Sequence, residues 1–178
     1  MNIALIGFMG VGKTTVSHLL GRLSGMPEVD VDRRIVEREG RPIPEIFETD
    51  GEAAFRDMET AAIRELVCSV PAAAGQIISC GGGAVLKGEN VKLLKENGVI
   101  VLLTAEPETV LGRVGDGKSR PALGGIVTVE HIAELMERRR AAYEAAADFR
   151  VATDGRTPEE IAGEILDMAG SMKRIHGR

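Results

Sequence analysis

The sequence predicts a three-layer α/β/α fold built on a five-stranded parallel sheet. Short apolar runs alternate with longer segments of helical period along the whole chain, the pattern of a parallel sheet covered on both faces. A glycine-rich turn joins the first run directly to the first helical segment. A chain of 178 residues buries about 70% of the surface it exposes when unfolded, enough for a core without metal or disulfide staples. No repeat and no Ser/Gly/Pro linker divides it, so residues 1–178 are expected to form one domain.

The candidate strands lie at 2–6, 28–31, 76–79, 99–103 and 149–151. The helical segments lie at 13–23, 33–39, 52–70, 87–96, 107–114, 129–147 and 158–168. Pro107 and Pro158 suit first-turn positions, and Thr157 suits the cap before the last helix. The terminal KRIHGR reads as a frayed basic end. The stretch 115–128 is rich in glycine, has no clear period and carries Lys118, Arg120 and Pro121; it reads as a surface loop or a mobile lid.

Composition narrows the function classes. With 44% hydrophobic and 28% charged residues, the chain is globular rather than disordered, collagenous or coiled. No apolar run approaches the roughly 20 residues of a membrane span, and the N-terminus shows no secretory signal pattern, so a cytoplasmic setting is expected. A net charge of −5 disfavours nucleic-acid binding through global charge, and any anionic ligand must be held by local arginines. Cys68 and Cys80 have neither metal-ligand spacing nor a secreted context and read as reduced core thiols; His18, His131 and His176 show no zinc-type clustering.

The residues from Gly7 to Thr14, GFMGVGKT, fit G-x-x-x-x-G-K-[ST] between a strand and a helix, the context a phosphate loop requires. Such glycines let backbone N–H groups of Gly10, Val11, Gly12, Thr14 and Thr15 curl around phosphates at a helix N-terminus. Lys13 can bridge the β- and γ-phosphates while the Thr14 hydroxyl ligates Mg²⁺. A nucleoside triphosphate is therefore the expected ligand. Asp30 and Asp32, read as two residues apart in the second strand, would project together from its C-terminal end. Two like charges there need a cation or a hydrogen-bonding ligand; one carboxylate near Mg²⁺ and one facing the substrate would meet that need, and the other reading is a solvated turn before a helix.

Helical phase singles out one arginine. In the helix from Val129, the apolar stripe runs through Ile132, Leu135, Met136 and Tyr143, with Arg139 in its middle and Arg138 and Arg140 roughly 100° to either side. An inward guanidinium costs several kcal/mol unless an anion meets it. That anion is either a protein carboxylate or a substrate carboxylate held in the bidentate manner arginine favours. Arg56 stands three residues before Glu59, a spacing that allows a helical ion pair. Gly81, Gly82 and Gly83 follow the third strand and leave backbone N–H groups open to close approach, as either a flexible turn or a ligand-facing one.

Taken together, GFMGVGKT, the Asp30–Asp32 pair, IPEIFETDGEAAFRDME from Ile43 to Glu59, GGGAV from Gly81, SRP at Ser119 to Pro121 and RRRAAY from Arg138 to Tyr143 resemble the shikimate kinase family over nearly the whole chain. The resemblance implies a P-loop kinase fold with a lid at about 115–128 and a substrate-binding segment at about 32–60. It implies transfer of the γ-phosphoryl group of ATP to the 3-hydroxyl of shikimate, with Mg²⁺ as cofactor. It matches Asp32 to the aspartate that contacts the acceptor hydroxyl and Asp30 to the one acting through the Mg²⁺ water shell. Arg56 and Arg139 match the pair that clamps the shikimate carboxylate, and Gly81 to Gly83 the backbone that meets the ring. Arg120 matches the lid arginine over the transferring phosphate, and Arg113 and the Arg156 to Pro158 stretch match the region flanking adenine. The expected partners are ATP and shikimate, without nucleic acid or membrane, and the chain is expected to act as a monomer. Two departures are visible: Ala141-Ala142 where a proline often precedes the tyrosine, and Pro27-Glu28 before the first aspartate. The other readings are a related small-acid kinase of gluconate kinase type and a catalytically silent nucleotide-binding homologue.

Overall fold

The computed structural model describes residues 1–69, 74–115, 123 and 126–176, with side chains as far as residue 172. Five parallel strands, β1 (Asn2–Ile6), β2 (Glu28–Asp30), β3 (Ile77–Ser79), β4 (Gly98–Thr104) and β5 (Phe149–Ala152), form one sheet in the order β2-β3-β1-β4-β5. The helices are α1 (Lys13–Ser24), α2 (Val31–Glu39), α3 (Ile43–Thr49), α4 (Gly51–Ser69), α5 (Gly88–Glu96), α6 (Pro107–Val114), α7 (Val129–Ala146) and α8 (Pro158–His176).

The period-2 alternation of the strands divides the core in two. Ile3 and Leu5 of β1 and Val99, Val101 and Leu103 of β4 face one layer with Val16 and Leu20 of α1 and Ile161 and Ile165 of α8. Ala4 and Ile6 of β1 and Ile100 and Leu102 of β4 face the other, with Ile35 of α2, Ile63 and Leu66 of α4 and Leu94 of α5. Every β1 residue is buried, as a central parallel strand requires. Ile132 of α7 joins the first layer and Tyr143 the second.

Local chemistry sets the element ends. Thr157 and Glu160 form a capping box at α8: the Thr157 amide donates to Glu160 Oε2 at 2.8 Å and the Glu160 amide to Thr157 Oγ1 at 3.3 Å. The helix continues through His176 rather than ending near 168, so most of the basic tail is helical. Segment 43–49 forms a helix that its short apolar pattern does not announce. Asp50 closes it, and Gly51 at φ +82° turns the chain into α4.

One expectation needs correction. The second strand stops at Asp30, and Val31 is already helical, so Asp32 lies in the first turn of α2 rather than in an extended Asp-Val-Asp run. The cause is the cap: Asp30 Oδ1 accepts the Arg33 amide at 3.0 Å, and that bond favours helix over another β-pair.

Candidate active site

The C-terminal ends of β1 and β3 and the start of α2 converge on one cavity of about 320 Å³, lined by residues that include Gly10, Gly12, Lys13, Thr14, Thr15, Asp30, Asp32, Gly81, Gly82 and Arg113. Its position is the crevice beyond the strand ends, where open α/β sheets bind ligands. The glycine-rich loop after β1 is shaped by contact as well as by conformation. Gly7 has φ +139°, and a Cβ there would lie 2.3 Å from the Leu103 carbonyl oxygen. Gly12, at φ +100°, precedes α1 without a side-chain cap, so the first amides of α1 are open to an anion. Lys13 folds back over the loop, its ammonium donating to the Gly7 and Phe8 carbonyls at 2.9 Å each, which keeps its charge at the loop mouth.

The two aspartates are placed differently although both line this cavity. Asp30 is fixed at both oxygens: Oδ1 takes the Arg33 amide and Oδ2 accepts the Ser79 hydroxyl at 2.9 Å. Asp32 faces the glycine turn, where a Cβ on Gly81 would lie 2.6 Å from its Oδ1 and 2.8 Å from Glu59 Oε1. The missing side chain at Gly81 is therefore what lets two carboxylates reach the turn. Gly83 plays the same part for an arginine, since a Cβ there would lie 2.3 Å from Arg56 Nη1.

Arg56 is held tightly on α4. It donates to Glu59 Oε2 at 3.0 Å and, through Nε and Nη2, to Glu52 Oε1 at 3.3 and 3.0 Å; its Cζ lies 5.4 Å from the Phe55 ring centroid. Glu59 is fully buried. Its Oε1 has no hydrogen-bond partner among the described residues. Burial pushes its carboxyl up to about 7, against the pull of Arg56. Spacing found the Arg56–Glu59 pair, but nothing in the sequence signals that Glu59 is sealed from solvent.

Arg139 lies where the helical phase puts it. Arg138 and Arg140 are exposed and paired with Glu134 and Glu137 on their own helix. Arg139 is half-buried, and no carboxylate among the described residues lies within 4.0 Å of it. Its Cζ stands 5.7 Å from the Phe8 ring centroid. Tyr143, one turn on, donates to the Gly82 carbonyl at 2.5 Å. Burial raises its phenol pKa, with the neighbouring Arg139 partly offsetting the shift. Gly82 in turn faces the phosphate loop: a Cβ there would lie 3.6 Å from the Gly7 carbonyl oxygen and 3.7 Å from the Met9 amide. The glycine turn thus lies between loop and arginines. Tyr143 belongs to the apolar stripe and to the RRRAAY motif, and neither signals its hydroxyl bond to the Gly82 carbonyl.

Of the outlying candidates, Arg113 lines the cavity and donates to the Gly10 carbonyl at 3.3 Å and Thr153 Oγ1 at 3.1 Å. Arg156 is tied to α8 through Glu164 at 2.6 Å, and neither it nor Pro158 lines the cavity. Most of the expected lid, residues 116–122 and 124–125 with Arg120 among them, lies outside the described residues. Leu123 is buried in the first core layer.

A family model described as shikimate kinase matches residues 9–169. A shikimate kinase of Moorella thermoacetica is 48% identical over 93% of this chain and 92% of its own length, and one of Geobacter sulfurreducens is 45% identical over 92% and 88%. Among solved structures, shikimate kinase from Acinetobacter baumannii in complex with shikimate superposes with a TM-score of 0.88 at 35% identity, covering 97% of this chain and 94% of that one. The family model over residues 9–169 and relatives matched over nearly their full length place the chain, with its phosphate loop and glycine turn, in the shikimate kinase family of ATP-dependent kinases.

Proposed function

We propose that the 178 residues act as one catalytic domain, monomeric and cytoplasmic, that transfers the γ-phosphoryl group of ATP to the 3-hydroxyl of shikimate. The observation that carries this reading is Arg139: a half-buried guanidinium with no carboxylate within 4.0 Å among the described residues, beside a turn that packs on the phosphate loop. A cation in such a place with no described carboxylate beside it suits an anionic acceptor. Arg56, pre-oriented by Glu52 and Glu59, supplies the second arm, and the Gly81–Gly83 backbone meets the ring. One chain supplies the loop and both arginines, which supports a monomer. Cys80 is buried as expected, whereas Cys68 on the outer face of α4 is exposed rather than a core thiol.

In the transfer, the bond from the acceptor oxygen to the γ-phosphorus forms while the bond to the bridging β–γ oxygen breaks, and ADP leaves. Asp32 orients the acceptor hydroxyl and takes its proton. The backbone amides of Gly10, Val11, Gly12, Thr14 and Thr15 and the Lys13 ammonium hold the phosphates and offset the charge of the transferring group. Arg113 borders the nucleotide beside the loop, with Arg156 and Pro158 contributing on the adenine side only if Arg156 leaves Glu164.

The Thr14 hydroxyl and the Asp30 and Asp32 carboxylates are hard oxygen donors on one cavity wall, a set suited to Mg²⁺. Thr14 and Asp30 would hold it, the latter through water. Among the described residues no three His, Cys, Asp or Glu side chains gather to hold a metal, so the ion would depend on oxygens of the bound nucleotide as well. Bound there, the ion would draw charge from the β- and γ-phosphates. Arg120, on the segment at 115–128, closes over the transferring group; Arg120→Ala lowers turnover far more than it weakens shikimate binding, and an equal loss in both would remove it from that role.

The test is a coupled assay of ADP production with shikimate, gluconate and other hydroxy acids as acceptors. Shikimate-dependent ADP release carries the proposal. Preference for gluconate would replace it with the related acid kinase, and binding of ATP and shikimate without ADP release would identify a silent homologue.

A further inference from the structure

The G-x-x-x-x-G-K-T loop grips phosphate with its backbone, which leaves the side chains between its glycines free for other duties. Phe8 uses that freedom. Its ring is 2% exposed and packed in the first core layer; it does not line the phosphate cavity. It borders instead a separate cavity of about 370 Å³, together with Val11, Met136 and Tyr143. The group resting over its ring is the Arg139 guanidinium, 5.7 Å from the centroid, within the roughly 6 Å at which a ring face attracts a cation.

The choice of support has a chemical consequence. A carboxylate partner would neutralise Arg139 and occupy the N–H groups an acid needs. A ring face attracts the cation from above its plane, so beyond the bond to the Tyr143 hydroxyl the in-plane donors stay available for bidentate recognition. Arg56, by contrast, spends three nitrogens on Glu52 and Glu59. We propose that Phe8 is a positioning residue for the acid site, its buried ring carrying the Arg139 guanidinium in the orientation that receives the substrate carboxylate. The inference rests on the assignment of Arg139 to that carboxylate.

The test compares Phe8→Leu with Phe8→Tyr in the ATP–shikimate assay. Leu keeps an apolar side chain and removes the ring face; Tyr keeps the face, and the ring borders a cavity of about 370 Å³. Phe8→Leu is expected to raise the shikimate KM about two- to thirtyfold, the span of a cation–ring contact, and to move the ATP KM less; Phe8→Tyr restores the shikimate KM to within about threefold. In an Arg139→Ala background, Phe8→Leu adds nothing further. A residue serving only to shape the phosphate loop would raise the ATP KM first, and that result overturns the proposal, as does a shikimate KM unmoved by Phe8→Leu while Arg139→Ala raises it. If Arg139→Ala itself leaves the shikimate KM unchanged, the carboxylate assignment falls and this inference with it. Should Phe8→Leu fail to fold, Phe8→Met, also apolar and without a ring face, carries the same comparison.

Discussion

The two arginines proposed to hold the substrate acid are set up in opposite ways. Arg56, on α4, is braced by carboxylates: Glu52 and Glu59 take three of its nitrogens, and its charge is offset before any substrate arrives. Arg139, on α7, is braced by a ring and stands beside a phenol, with no carboxylate within 4.0 Å among the described residues. The difference teaches a division of labour. Rigidity comes from the α4 side, at the cost of sealing Glu59 in the core; attraction comes from the α7 side, where no carboxylate of the described residues offsets the charge. A site with both arginines neutralised would bind an acid weakly, and one with neither braced would bind it in no fixed pose.

That contrast is broken most forcefully by removing Arg139. Arg139→Ala is expected to raise the shikimate KM on the order of tenfold to a hundredfold, the loss of a charge-assisted pair of roughly 1.5–3 kcal/mol, with the ATP KM changing much less; steady-state kinetics in both substrates checks it. Arg56→Ala should raise the shikimate KM by less, about three- to tenfold for an arm already offset, while lowering Tm because Glu59 is left buried without its partner.

Gly83→Ala sharpens the comparison without touching either charge. Its Cβ would occupy the place of the Arg56 guanidinium, the far end of a flexible side chain, so the fold should tolerate it while Arg56 is displaced. The expectation is a Tm close to that of the parent and a shikimate KM raised towards the Arg56→Ala value. A large drop in Tm with unaltered KM would show that the turn, rather than the arginine, needs the glycine.

The smallest effect is a slope. Glu59 titrates at about 7 in the folded protein against an ordinary 4.5, so the folded state binds its proton more tightly than the unfolded state does. Its stabilising share is full below pH about 4.5 and is lost as pH rises through about 7. Thermal melts from pH 4.5 to 8 should show Tm falling less steeply in Glu59→Gln than in the parent. Equal slopes would mean that Glu59 stays ionised throughout, fully compensated by Arg56.

Much of this was legible in the sequence where one local rule acts alone. The limits of α6 follow from Pro107 and the glycine after Val114, and the inward phase of Arg139 follows from 100° per residue along a regular helix. Where two local rules compete, the sequence pattern alone does not decide. Val31 continues the strand-like alternation Glu28-Val29-Asp30-Val31, yet the Asp30 side chain captures the Arg33 amide and starts a helix one residue after the last strand position. Segment 43–49 is too short for its period to register, and its separation from α4 depends on the backbone angle at Gly51. Contacts across the fold left no trace at all: Tyr143 on the Gly82 carbonyl joins residues 61 positions apart, and the ring of Phe8 under Arg139 joins the first loop to the seventh helix.

The most direct measurement is a crystal structure of the protein with shikimate and ADP. The carboxylate is expected to meet the in-plane nitrogens of Arg139, with Arg56 keeping its bond to Glu59 and the 3-hydroxyl beside Asp32. A carboxylate bound elsewhere, or Arg139 turned to a protein carboxylate or to solvent, would contradict the assignment of the acid site and leave only the phosphate loop in place.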